Sequence, residues 1–503
     1  MSELTMKHWI DGKEVVEDGA DVIDIDSPTT GQVIGGVAEA STELIERAIQ
    51  GARKAQKEWA AMSLAKRTAV MFKFRNLMVE RQDELAAIIV KEGGKTHGDA
   101  LGEIARGLEI VEFACGIHNA LKGDYTSGAS TGIDIHTIRQ PVGVVGAICP
   151  FNFPMMVPMW MHPMALATGN AVVLKPATPV PTVSLTVAKM YQEAGLPDGL
   201  FQVVCGDKQV VQHMLNSDGI DAISFVGSTP VAKVIAEGCA KTGKRYQALG
   251  GANNHAIVMP DANLDFAAKH IVSGAFGAAG QRCMALPVVV AVGESADPLI
   301  EKVKAQAEAL VLGPGEDPKS ELGPVISAKS KERIISWIDE AEAAGARVVL
   351  DGRGFQHADE QFAGGNWLGP TILDNVPLDT KAYCEEIFGP VLVVVRADSY
   401  DEAIKIVNSS EFGNGSAIFT ESGDYARRFE LDVEAGMVGI NVPIPVPVGY
   451  YSFGGWKGSL YGDVKMHGQE GVNFYTKAKV ITTRWAGRPD EHVGLDFVAS
   501  ASR

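Results

Sequence analysis

The chain has 503 residues, 46% of them apolar and 21% charged; that is ordinary globular composition in a length that one core does not normally support, so two or more domains are expected. Asp and Glu total 62 against 45 Lys and Arg, a formal charge of −17, which repels nucleic acid and anionic membrane at long range. An anionic ligand would therefore have to be met by locally placed Arg or Lys.

The opening stretch, MSELTMKHWIDGKEVVEDGA, has acidic residues and no apolar run, so it does not read as a signal peptide. Residues 42–62 and 65–92 are rich in Ala, Leu, Glu and Lys with apolar positions at helical spacing, and 101–119 continues the pattern. The β-branched run 126–140 reads as extended, and 142–148 as a buried strand. From Gln140 to Leu174 there is no Asp, Glu, Lys or Arg, which mimics a membrane span. Prolines at 141, 150, 154, 158 and 163 interrupt it, and a helix facing lipid would leave the freed backbone groups unpaired. A buried strand, a loop and an internal helix are expected instead.

Strands at 171–174, 201–204 and 220–226 then alternate with helices at 183–194, 210–216 and 230–238. Such alternation implies a parallel sheet with right-handed crossovers, suited to nucleotides. A second alternating region runs from 256 to about 439, with helices at 264–278, 298–310 and 329–344 and strands at 288–292 and 391–395. Residues 464–483 read as strand and 486–503 as a loose polar tail.

Several motifs mislead. Gly94-Lys95-Thr96 resembles the end of a P-loop, but Ile89 stands where the first glycine belongs and no strand precedes it, so a helix-terminating glycine pair is the better reading. No G-x-G-x-x-G follows a predicted strand, and there is no HExxH or G-x-S-x-G. Asn408 and Asn414 match the glycosylation sequon, without meaning in a chain that is not secreted. Cysteines at 115, 149, 205, 239, 283 and 384 form no CxxC pair and no zinc spacing. Reduced thiols, a cytoplasmic location and no metal site are expected.

One of these cysteines has the surroundings of a nucleophile. In Phe276-Gly-Ala-Ala-Gly-Gln-Arg-Cys283, small residues at the end of a predicted helix leave room for a ligand near the sulfur. Arg282 brings fixed positive charge, which favours thiolate, and Asn152 in Pro150-Phe-Asn-Phe-Pro154 offers an amide donor from a loop after a strand. These two segments, with Leu174-Lys-Pro176, Phe225-Val-Gly-Ser228, Leu249-Gly-Gly251 and Glu385-Glu-Ile-Phe-Gly-Pro390, occur in order and at the separations typical of the aldehyde dehydrogenase superfamily. The resemblance covers residues 7 to 485. Gly280-Gln-Arg-Cys-Met-Ala-Leu286 and Asn441-Val-Pro-Ile-Pro-Val-Pro447 are similar to its methylmalonate-semialdehyde dehydrogenase branch, which is CoA-acylating.

The resemblance implies an α/β fold with two Rossmann-like parallel-sheet domains and a small β element for oligomerisation. It implies a coenzyme-binding domain at 1–125 and 141–250, a catalytic domain at 251–440, and oligomerisation strands at 126–140 and 464–485 that make a homodimer or homotetramer. It implies that Cys283 attacks an aldehyde while the Asn152 amide and the Cys283 N–H stabilise the oxyanion. Phe151, Lys175, Thr178, Gly227, Ser228, Glu386 and Phe388 are implied to bind the dinucleotide, with the helix after Ser228 receiving the pyrophosphate. Arg106 and Arg282 match the pair that holds a substrate carboxylate, although an ion pair of Arg106 with Glu103 or Glu109 is the plainer reading.

Two departures bear on the subclass. Hydrolytic members carry a water-activating glutamate before Leu-Gly-Gly, and here that residue is Ala248; a thioester spared by water would pass to coenzyme A, unless another carboxylate substitutes and a free acid is released. The carboxylate that grips the adenosine ribose in NAD-preferring members falls on Thr178, so NAD is expected with NADP as the alternative. Malonate or methylmalonate semialdehyde is the implied substrate. A catalytically silent scaffold would not need Cys283, Asn152 and Glu386 together.

Overall fold

The computed structural model describes residues 5–130 and 132–484. Two sheets organise it. The first has eight strands in the order Leu460–Tyr461, Arg245–Leu249, Ala222–Val226, Val144–Ile148, Ala171–Lys175, Phe201–Val203, His8–Ile10 and Lys13–Val15. The five central strands are parallel and the edges antiparallel. Val-Val-Gly-Ala-Ile and Ala-Val-Val-Leu-Lys are buried at every position, as a strand covered by helices on both faces must be. One of those helices, Thr42–Ala61, is capped by the Ser41 side chain, which accepts from the Leu44 N–H at 3.1 Å, and it buries Leu44, Ile45, Ala48, Ile49 and Trp59.

The second sheet runs Arg347–Leu350, Thr371–Asp374, Val391–Ala397, Val288–Val292, His255–Val258, Gly415–Phe419 and Met437–Ile440, parallel except for its first strand. In the first sheet the chain passes from Val144–Ile148 outward to Phe201–Val203, then returns to build Ala222–Val226 on the other side of Val144–Ile148. That reversal opens a crevice beyond the carboxyl ends of the two adjacent strands, where nucleotides bind in open sheets. A third, antiparallel sheet pairs Ile133–Pro141 with Tyr125–Ser130 on one side and Thr476–Arg484 on the other.

The charge-free stretch resolves into the strand Val144–Ile148, a loop, the helix Met156–Ala167, buried at all of its residues, and the strand Ala171–Lys175. Among the described residues no helix is long and apolar enough to cross a membrane. Three expectations need correction. The helix predicted over 65–92 is two, Leu64–Glu80 and Gln82–Gly93. They break at Arg81, whose guanidinium takes both oxygens of Glu84 at 2.7 Å, and the acidic residues Asp83 and Glu84 suit a new helix start. The helix predicted to reach 278 stops at Phe276, because Ala278 and Ala279 turn to positive φ. The strand predicted over 464–483 begins only at Thr476. Before it lies the helix Gly468–Tyr475, which packs its buried Val472 and Phe474 back toward the first sheet. The tail predicted for 486–503 lies outside the described residues.

Candidate active site

The carboxyl ends of the first sheet and the amino ends of the second face each other, and Cys283 stands between them. The cysteine lies in the turn that leads into Val288–Val292. Ala278, Ala279 and Gly280 all take positive φ (51°, 55° and 67°), a conformation that costs a non-glycine residue about 1 kcal/mol or more. Glycine is required at 280 on a second ground, since a Cβ there would sit 1.9 Å from the Gly389 carbonyl oxygen. Side-chain amides brace the backbone from Cys283 to Ala285. Asn254 and Asn414 both donate to the Cys283 carbonyl, at 3.0 and 3.1 Å, and Asn254 also donates to the Ala285 carbonyl at 2.7 Å.

Asn152 comes from the opposite sheet, on the loop after Val144–Ile148. It is buried, and its amide nitrogen donates to the Gln281 carbonyl at 3.0 Å and reaches the Cys283 sulfur at 3.5 Å. Burial pushes the Cys283 thiol up to about 11. The Asn152 amide opposes that rise, Glu386 adds to it, and the Lys95 ammonium opposes it. The charge expected from Arg282 is directed elsewhere: its guanidinium pairs with Asp99 at 2.5 Å.

Two cavities meet at the sulfur. One, of about 440 Å³, is lined by Arg106, Arg282, Asp99, Phe153, Trp160 and Phe453. Arg106 makes the ion pair with Glu109 that the plainer reading expected, and it does more. It pairs with Glu109 at 2.8 Å and donates to the carbonyls of Val446 and Pro447 at 3.2 and 2.8 Å, while its guanidinium still borders the cavity. Glu103, the other partner considered for it, is buried against Lys95 at 2.6 Å.

The other cavity, of about 690 Å³, brings together Phe151, Lys175, Thr178, Gly227, Ser228, Glu386 and Phe388. The Lys175 ammonium is buried, donates to the Pro176 carbonyl at 3.0 Å, and is pushed down by loss of solvent. The Thr178 hydroxyl donates to the Gly206 carbonyl at 3.1 Å. Ser228 caps the helix Thr229–Thr242 without a side-chain hydrogen bond, so first-turn N–H groups are left for a ligand. Burial raises the Glu386 carboxyl to about 7, against the Ala252 N–H, which it accepts at 2.9 Å, and the charge of Arg333. Phe388 holds φ 49° and meets Phe151 edge to face at 5.9 Å. Ala248 is fully buried, its strand pairing it with Phe225 on one side and Tyr461 on the other.

Residues 15–481 match the model of the aldehyde dehydrogenase family. The chain is 46% identical to a malonate-semialdehyde dehydrogenase of Pseudomonas aeruginosa over 96% of this chain and 97% of that one. It is 44% identical to a malonate-semialdehyde dehydrogenase of Halalkalibacterium halodurans, over 95% and 98%. Among solved structures, the methylmalonate-semialdehyde dehydrogenase of Oceanimonas doudoroffii superposes with a TM-score of 0.95 at 46% identity, over 96% of this chain and 99% of that one. A Sinorhizobium meliloti protein complexed with NAD, proposed to be a methylmalonate-semialdehyde dehydrogenase, gives 0.95 and 46%, over 97% and 99%.

Proposed function

Because the chain belongs to the aldehyde dehydrogenase family, we propose that it oxidises malonate or methylmalonate semialdehyde with NAD and passes the acyl group to coenzyme A. The carboxylate leaves as carbon dioxide or bicarbonate, and the product is acetyl-CoA or propionyl-CoA. The observation that carries this reading is the Cys283 sulfur, 3.5 Å from the Asn152 amide, at the junction of an arginine-lined cavity and a nucleotide-sized cleft.

The cleft fits a dinucleotide. A helix opens on it with no side-chain cap, and Lys175 brings a buried ammonium from the strand Ala171–Lys175, two places along the sheet, an arrangement suited to phosphate and ribose oxygens. A nicotinamide dinucleotide bound there supplies the hydride acceptor. Around it the protein does the rest. Cys283 forms a carbon–sulfur bond to the aldehyde carbon, and the charge that develops on oxygen is met by the Asn152 amide and the Cys283 N–H, each worth about 3 kcal/mol in comparable sites. Once hydride has left, the carbonyl re-forms as a thioester on Cys283. Arg106 and Arg282 hold the substrate carboxylate, which suits their planar forks. Ala248 can accept no proton, and lack of a general base typically slows the step it serves by about 10²–10⁴-fold. Water is therefore a poor acceptor and the thiol of coenzyme A a good one.

On this reading residues 1–125 and 141–250 form the coenzyme-binding domain and 251–440 the catalytic domain. The exposed ribbon around Tyr125, Ile138 and Val480 builds a homodimer or homotetramer, because an uncovered sheet edge invites pairing. Six free thiols, four of them buried, support a reducing compartment, the cytoplasm. Purified protein assayed on malonate semialdehyde, with NAD or NADP and with or without coenzyme A, tests the scheme. Full-rate release of free acid without coenzyme A would favour a hydrolytic enzyme instead, and light scattering reads the assembly.

A further inference from the structure

We propose that Lys95, paired with Glu103, is a positioning residue for the amide donor at the nucleophile: it anchors the loop that carries Asn152 against the sulfur. The inference rests on Cys283 being the nucleophile and adds a residue that the sequence offers only within a misleading motif.

Four contacts converge on this pair. The Lys95 ammonium bonds the Glu103 carboxylate at 2.6 Å, with both side chains buried. It also lies 3.8 Å above the centre of the Phe153 ring, within cation–π range. The other Glu103 oxygen accepts the N–H groups of Met155 and Met156 at 2.8 and 3.1 Å, so one carboxylate caps the start of the helix Met156–Ala167 and neutralises the lysine. Residues 153, 155 and 156 are thus fixed from one side, and Asn152 has little freedom to leave the sulfur. Lys95, Asn152 and Gln281 line one small cavity beneath the turn.

The groups around Cys283 make the placement of Asn152 matter. From the segment 385–390, Glu386 opposes ionisation of the thiol, with Arg333 moderating its charge. Arg282 on the same turn is paired with Asp99, and Arg106 with Glu109. The Asn152 amide lowers the thiol most among its neighbours, and Lys95 adds a smaller lowering. An amide held against the sulfur favours the thiolate that reacts.

The test is the pH profile of Cys283 alkylation by iodoacetamide in the whole chain, followed by mass spectrometry of the Cys283 peptide because Cys384 is exposed and reacts as well. Lys95→Met alone leaves a buried carboxylate unpaired and threatens folding, so Lys95→Met/Glu103→Gln is the informative variant, since the amide oxygen of glutamine can still accept from Met155 and Met156. Its profile should move up by about one pH unit and its kcat fall about tenfold or more, while Lys95→Arg keeps most of both. A folded double variant whose profile and kcat match the unmodified protein would overturn the proposal, as would Lys95→Arg losing as much as the double variant. If the unmodified protein itself forms no acyl adduct on Cys283, the catalytic reading fails first.

Discussion

Replacing Arg106 with leucine separates recognition of the carboxylate from the chemistry at the sulfur. The guanidinium gives up an ion pair to Glu109, with both groups about one-third exposed, and hydrogen bonds to the Val446 and Pro447 carbonyls. An ion pair that wet is worth about 0–1 kcal/mol, and Val446 borders the cavity, where water can reach its released carbonyl, so the fold should lose little. The substrate carboxylate loses much more. Hydrogen bonds to a charged group contribute about 1.5–3 kcal/mol, so kcat/KM for malonate semialdehyde should fall about 10- to 150-fold at about 1.4 kcal/mol per decade. Propanal, which has no carboxylate, should be turned over within a few-fold of the unmodified rate. Both constants come from the same NADH absorbance assay at saturating coenzyme A. Equal losses on the two substrates would refute the reasoning, because they would mean that Arg106 supports the cavity wall and does not recognise the acid.

Asn152→Ala should lower kcat by about 10²–10³ with little change in melting temperature, since among the described residues the amide nitrogen bonds one carbonyl and the sulfur; single-turnover NADH formation measures it. Gly280→Ala places a Cβ 1.9 Å from the Gly389 oxygen at a φ of +67° and should abolish acylation of Cys283 while circular dichroism stays near native. Glu92 is buried against Thr182, and loss of solvent raises its carboxyl to about 7 from 4.5. The folded state therefore binds this proton more tightly than the unfolded chain, and the group costs stability progressively as pH rises from about 4.5 to 7. Glu92→Gln should raise the melting temperature at pH 8 more than at pH 5, measured by calorimetry; a pH-independent difference would contradict the assignment.

The two sheets are legible because their strands are short apolar runs separated by helices of regular period, and the pattern places Val288–Val292 to the residue. Helix ends are less so. No glycine or proline in 65–92 marks the break at Arg81; the acidic pair Asp83 and Glu84 is a weak start signal, and the break itself depends on a local arginine–glutamate contact and on packing. The motifs carry the reading to Cys283, Asn152 and the cleft residues, but not to their supports. Asn414, an idle sequon by pattern, donates to the Cys283 carbonyl, and Lys95, part of a false P-loop, sits beneath the site. Asn254 is equally silent although it follows Leu-Gly-Gly closely. Such residues act through contacts with segments about 30 to 130 positions away, and no local pattern announces them. A paired Asn-Asn at 253–254, on the edge of a buried strand, is the one available hint.

The antiparallel ribbon has a consequence for biosynthesis. Ile133–Pro141 pairs along its whole length with Thr476–Arg484, which the ribosome adds about 340 residues later. At about 5–20 residues per second, one side of the earlier strand waits on the order of tens of seconds for its partner. Asp134, His136 and Arg139 space charge and polarity along that waiting edge, which is how strands are kept from pairing with the wrong neighbour.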